Sequence, residues 1–236
     1  MLSSGFDLEN ILLTLLPIAL VIFSAILHEV AHGYMAYRLG DPTAKNAGRL
    51  TLNPAKHLDS FGSVILPIAM GLLGGPIFSY AKPVPYDPRN LRHPVRDEVL
   101  VAVAGPACNL LQAIVGAIVL RVGFGPVIQT TPAGAYLLTD SDAIFWAVRI
   151  VYDYVYVNLM LMCFNLIPLP PLDGSKVVSP LFRSERSRRA YYQVQQYAMP
   201  ILLVALYLIP YAFGVDPLGW VLDATAGSLY DLLMGA

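Results

Sequence analysis

The sequence predicts an all-α polytopic membrane protein, a bundle of about 4–6 transmembrane helices with a re-entrant segment and room for a small β-element. Three observations carry this expectation. Hydrophobic residues make up 56% of the 236-residue chain and charged residues 13%, with mean hydropathy +0.60, too apolar for a soluble domain of this size. Apolar runs close to the length that spans a bilayer recur along the chain. Basic residues gather in three connecting loops and are missing from another, as in a chain threaded through a membrane.

The elements follow in order. Spanning runs fall at about 9–37, 98–121, 143–167 and 194–213. The first continues from Ile11–Leu27 into a polar motif and has no Lys or Arg before it, so it is expected to remain in the mature protein rather than to be cleaved as a signal peptide. Segment 64–78 is broken by Pro67 and by Gly74-Gly75-Pro76 and reads as re-entrant, because irregular backbone at membrane depth survives only when protein or a watery cavity surrounds it. Polar and apolar residues alternate over 48–53, and 77–86 is rich in aromatics and valine, so two short strands are expected there. Pro83 and Pro85 would confine the second to a sheet edge. The last stretch, 217–234, carries Asp223 and Asp231 and is open between a span and an interfacial helix. No repeat or linker divides the chain, and 1–236 reads as a single membrane domain with a re-entrant or β region at about 46–90.

Charge sets the expected topology. Arg38, Lys45, Arg49 and Lys56 follow the first run, Lys82, Arg89, Arg92 and Arg96 precede the second, and Lys176, Arg183, Arg186, Arg188 and Arg189 follow the third. All three loops are expected in the cytoplasm and 122–142, which has no Lys or Arg, outside. The run from Arg186 to Arg189 reads as an anchor beside anionic headgroups. A net charge of −1 gives no reason to expect nucleic acid as a partner. Cys108 and Cys163 sit in apolar runs and read as small buried side chains.

The chemistry starts at His28-Glu29-Val30-Ala31-His32. Residues four apart share a helix face, so both histidines can turn a ring nitrogen to one Zn2+, with Glu29 beside them to take a proton from the water at the metal. Polar groups in a membrane helix are costly without partners, which favours a metal over two histidines and a glutamate merely hydrogen-bonded in a bundle. A catalytic zinc usually has a third protein ligand. Asp173, after the proline-rich stretch Asn165-Leu166-Ile167-Pro168-Leu169-Pro170-Pro171-Leu172, is the candidate, against the alternative of a simple Pro-Asp-Gly turn. If 64–78 enters and leaves on one side, Asp173 reaches the same membrane face as the two histidines.

These residues resemble the site-2 protease family of intramembrane metalloproteases. The family carries a His-Glu-x-x-His helix, a Gly-x-x-x-Asn helix matched by Gly105-Pro106-Ala107-Cys108-Asn109, and an Asn-x-x-Pro element followed by Leu-Asp-Gly. Asn53-Pro54-Ala55-Lys56-His57-Leu58-Asp59-Ser60 resembles a further signature of short prokaryotic members, with Ser60 where that signature has proline. The resemblance implies one Zn2+ on His28, His32 and Asp173, Glu29 as general base, and a substrate peptide in or near the transmembrane segment of a membrane protein. The expected protein is thus a multi-pass hydrolase in a prokaryotic cell membrane, its active site toward the cytoplasm.

Other residues keep two readings. Asn109 and Asn165 are substrate-contact or oxyanion candidates, or else hydrogen bonds between helices and within the turn. His57 either reaches the metal region or is an ordinary loop histidine, and His93, between Arg92 and Pro94, reads as surface. Two other functions would use similar residues: a zinc-transport protein, or a nonproteolytic membrane-helix-binding protein. Candidate ligands gathered toward one face disfavour transport, and the presence of Glu29 disfavours a pure binder.

Overall fold

The computed structural model describes residues 8–59, 65, 81–131, 134–182 and 184–234. Three helices are long and apolar enough to cross a membrane: α1 (Leu8–Arg38), α2 (Pro94–Val119, continued by irregular turns to Val127) and α3 (Asp142–Asn165). They match the first three expected spans. The apolar runs form helices because nothing in lipid competes for their backbone groups.

Helix α2 is central and packs on both α1 and α3. Its buried residues Ala102, Gly105, Asn109, Gln112 and Gly116 recur at intervals of three and four, a seam of small and amide side chains that lets neighbouring backbones approach. On α1 the facing stripe is Ser24, His28, His32 and Ala36, spaced by one helical turn. On α3 it is Val148, Val155, Asn158, Leu159 and Met162. Large apolar side chains such as Phe23, Leu111, Val115, Ile118 and Ile150 point outward, as expected of surfaces facing acyl chains rather than water.

The fourth expected span is helical from Ala198 to Phe213. Residues 194–213 do not form one straight helix: a break at Tyr197 separates Glu185–Gln196 from Ala198–Leu203, and a π-type turn at Val204–Leu208 precedes Ile209–Phe213. Pro210 lacks the amide that would continue the regular ladder. Pro200–Phe213 qualifies as a span only together with Pro217–Met234, the two meeting at a 114° bend. The described helices therefore give three spans, or four with that bent pair, against the expected 4–6. The C-terminal part of the pair docks on the bundle, with Ala226 buried among Val148, Val155 and Leu159.

No strand forms at 48–53, nor over 81–86, the described part of the second expected strand; 77–80 lie outside the described residues. Residues 48–53 are turns and irregular backbone, because local bonds compete with any ladder: Asn53 Oδ1 caps Ala55 N–H at 3.1 Å and Thr51 O bonds the His57 ring at 2.7 Å. Residues 81–86 are irregular and unpaired with any strand. The strands present are β1 (Ile128–Thr131) and β2 (Gly134–Leu137), an antiparallel hairpin in the loop after α2, where none was expected. The re-entrant segment expected at 64–78 lies outside the described residues except Ile65.

A polar knot joins the loops at one end of the bundle. Asp41, buried just beyond α1, accepts hydrogen bonds from Thr43 N–H (3.1 Å), Asn90 Nδ2 (2.9 Å) and Asp87 N–H (2.7 Å), besides the Thr43 hydroxyl. The knot holds the chain entering α2 against the end of α1, and so fixes one end of the 81–87 segment. Burial alone would raise the Asp41 carboxyl, but these donors outweigh it and hold its pKa below the usual carboxylate value. Its contribution is complete above the ordinary carboxylate pKa and is lost as pH falls through the lower folded value. Asp41→Ala is expected to cost roughly 1–3 kcal/mol by stranding buried donors, and to flatten the acid limb of stability. Thermal unfolding in detergent across acid pH measures both.

Candidate metal centre

The stripe on α1 delivers His28 and His32 to the same point, and the chain returns to it at α4 (Asp173–Val178), the short helix that follows the proline-rich turn. His28 Nε2 and His32 Nε2 lie 2.9 Å apart, and Asp173 Oδ2 is 3.0 Å from the first and 3.1 Å from the second. All three side chains are buried. Two glycines make room for them. A Cβ on Gly105 would run into the Nε2 atoms of both histidines, and one on Gly174 would overlap the carbonyl of Leu166. Gly105 therefore lets α2 close over the pair, and Gly174 lets α4 turn back on the end of α3.

Hydrogen bonds behind the rings set their protonation. His32 Nδ1 faces the Val101 carbonyl at 2.6 Å, and a carbonyl only accepts, so Nδ1 carries the proton and Nε2 is bare in the neutral ring. His28 Nδ1 faces Asn109 Oδ1 at 2.5 Å and has the same tautomer. Two bare ring nitrogens and a carboxylate oxygen thus converge in a buried place. In each ring the other nitrogen meets an acceptor, the usual support of a metal-bound histidine. Such an arrangement repels itself unless a cation or proton sits within it. The separations are close to the roughly 3.3 Å edges of a tetrahedron with 2.0–2.1 Å bonds, so these residues fit a zinc-sized ion.

A cavity of about 430 Å3 opens on this group, with Glu29, His57, Val84, Tyr86, Asn165 and Lys176 among its walls. Glu29 Oε2 accepts the Val84 N–H at 2.7 Å, which orients the carboxylate beside the histidines. The 81–86 segment that supplies this donor is clamped by Arg49 Nη2 on the Lys82 carbonyl (2.7 Å) and by Lys82 N–H on the His57 carbonyl (2.8 Å). Tyr86 donates to Glu98 at 3.1 Å, and the Lys176 ammonium lies 5.2 Å from the centre of its ring. Burial and the neighbouring Glu98 carboxylate push the Tyr86 phenol well above its ordinary pKa, which keeps it a donor.

The structure thus brings His28, Glu29, His32, Asp173, His57 and Asn165 to one cavity. His57 contacts it from a buried position with Nε2 on the Thr51 carbonyl. Asn165 lines the wall while its Nδ2 bonds the Leu161 carbonyl at 2.9 Å. Asn109 lies instead behind His28, fully buried, with both ends of its amide engaged. The sequence reading missed Asn158 and Ser24, which continue from Asn109 into the bundle at 2.9 and 3.0 Å. Each is a polar residue within an apolar helix, the same signal that drew attention to the histidines.

A bundle of membrane-length helices enclosing two histidines and a carboxylate, with a glutamate in the adjoining cavity, defines a multi-pass membrane protein with a metallohydrolase-like centre. The comparisons with known proteins agree. The model of peptidase family M50 matches residues 16–209. The chain belongs to that family, the site-2 protease family of metalloproteases. It is 37% identical over 202 residues to a Bacillus subtilis protein named "Putative zinc metalloprotease YwhC", covering 84% of this chain and 83% of the relative. Proteins named "Putative zinc metalloprotease Rip2" are 31% identical in Mycobacterium tuberculosis (87% of this chain, 72% of the relative) and 29% identical in Mycolicibacterium smegmatis (81% and 66%). No solved structure matches the chain at comparable significance.

The close approach at Gly105 is directly testable. Gly105→Ala is expected to lower metal affinity at least about tenfold with helix content unchanged, read by elemental analysis and circular dichroism of the purified protein.

Proposed function

We propose that this chain is an intramembrane zinc endopeptidase that cuts a peptide bond in or near the transmembrane segment of a membrane protein, with His28, His32 and Asp173 holding one Zn2+ and Glu29 as general base. One observation carries this reading. Three potential ligand atoms, drawn from positions as far apart as 28 and 173, converge within about 3 Å of one another beside a carboxylate that faces a cavity.

The ion, when bound, supplies Lewis acidity at the position its three protein ligands leave open. The remaining work falls to this chain. Glu29, steadied through one oxygen by Val84 N–H, takes the proton of the attacking water and returns it to the leaving amine. Apolar cavity walls, including Val21, Ile22 and Leu161, exclude bulk water and accept the side chains of an unwound substrate stretch. Asn165 and His57 stand in that wall as substrate contacts. Residues 48–53 form no strand and so offer no sheet edge to a substrate. Along 81–86 the Lys82 and Val84 amides are already engaged, so contact there falls mainly to side chains such as Val84 and Tyr86.

Basic residues on the loops around α1 and α2, among them Lys45, Lys56, Arg89 and Arg92, support a cytoplasmic position for this end of the bundle, and hence for the cavity. A transit site for zinc has no use for a base held against its ligands, so the placement of Glu29 favours hydrolysis over transport. Bilayer lipid and a membrane-protein substrate are the partners of this reading.

Glu29→Gln is expected to retain zinc while cleavage of a membrane-helix substrate falls about 10²–10⁴-fold. Asp173→Ala is expected to lose both. Zinc content by elemental analysis, set beside cleavage in reconstituted vesicles, separates the outcomes. Unchanged cleavage in Glu29→Gln would exclude Glu29 as the base.

A further inference from the structure

One fully buried polar residue close to the site has no part in this chemistry. Asn158 sits in the middle of α3, outside every motif described above. Its amide orientation follows from its neighbours. The main-chain carbonyl of Tyr154, 2.9 Å away, can only accept, so the Asn158 atom facing it is the nitrogen. That turns Asn158 Oδ1 toward Asn109, whose nitrogen must answer at 2.9 Å. Asn109 Oδ1 is then left to face His28 Nδ1, which must carry the proton. In the neutral ring the bare nitrogen of His28 is therefore Nε2, the one turned to His32 and Asp173. Polarity runs one way, from the α3 backbone through two amides to the ring.

We propose that Asn158 is a positioning residue that selects the ligand-competent tautomer of His28 by fixing the orientation of Asn109. The inference rests on the reading of His28 as a zinc ligand. An asparagine amide can rotate by half a turn at little steric cost and exchange its oxygen for its nitrogen. Without Asn158 Oδ1, nothing holds the Asn109 nitrogen away from His28. The rotated amide presents an N–H to Nδ1, the ring proton moves to Nε2, and the atom needed at the metal is capped. The competing role for Asn158 is adhesion between helices, since its nitrogen also donates to Ser24 Oγ on α1 at 3.0 Å. That bond lies outside the chain of polarity, because Tyr154 alone suffices to orient Asn158. Ser24 therefore separates the two roles.

The test is zinc affinity of the purified full chain, by competition with a chromophoric chelator. Asn158→Ala is expected to weaken binding about 10–100-fold, the usual effect of losing a partner behind a ligand. Asn158→Asp, whose protonated carboxyl in this buried place donates to the Tyr154 carbonyl and offers its other oxygen to Asn109, and Ser24→Ala, which leaves the amides oriented, are expected to bind like the wild type. Equal losses in Ser24→Ala and Asn158→Ala would assign Asn158 to helix adhesion, and undiminished affinity in Asn158→Ala would overturn the proposal. A wild type that binds no zinc would instead overturn the ligand assignment itself. Nitrogen-15 NMR of the metal-free wild type adds a test that needs no variant. A proton on His28 Nδ1 is expected, and its absence there would overturn the proposal even if Asn158→Ala failed to fold.

Discussion

Everything around the site depends on how closely α1 and α2 approach at Gly105. Helices in lipid gain nothing from hiding ordinary apolar surface from each other, so their contact must come from close packing and internal polar bonds. Gly105 provides the first, since no larger residue leaves room for both imidazoles. Val101 O and Asn109 Oδ1, one turn to either side, provide the second by holding the outer nitrogens of the same two rings. A single helix face thus spaces the histidines, orients them and sets their protons. The Gly-x-x-x-Asn spacing has a physical meaning here: three residues separate the point of closest approach from the acceptor one turn along.

The far side of the site is built differently. Asp173 arrives on a short helix whose start follows a proline-rich turn, and Gly174 packs against the carbonyl of Leu166 at the end of α3. Glu29 is held by a backbone amide of an unpaired segment that Arg49 and the Asp41 knot fasten at its two ends. His28 and His32 are therefore set by helix packing, Asp173 by the turn at the end of α3, and Glu29 by the loops.

Much of this was legible in the sequence. The three long helices were visible because apolar length decides them, and His28, His32 and Asp173 were visible because polar groups in such helices need a shared partner. The bend that follows the fourth run was not legible because hydropathy registers composition and is blind to direction: Gly214, in the left-handed region, ends that helix yet barely lowers the average. The strand expected at 48–53 was misread because alternation also occurs where Thr and Asn side chains tie the backbone into turns. Asn158 was overlooked for lack of a motif around it. It obeys the same rule as the histidines, and the role of Asn109 as a support behind His28 becomes evident only once α3 is seen beside α2.

The spacing of the cluster also bears on how the protein is made. His28 and Asp173 touch across 145 residues of chain, and the two long helices between them must be in place before that contact can form. While a ribosome is still extending the chain, the first helix can enter the membrane carrying two histidines and a glutamate but without the Asp173 carboxylate beside them. The centre closes only once Asp173 has been made. An enzyme assembled in this order passes through its own insertion, among the helices of other nascent proteins, without a finished site.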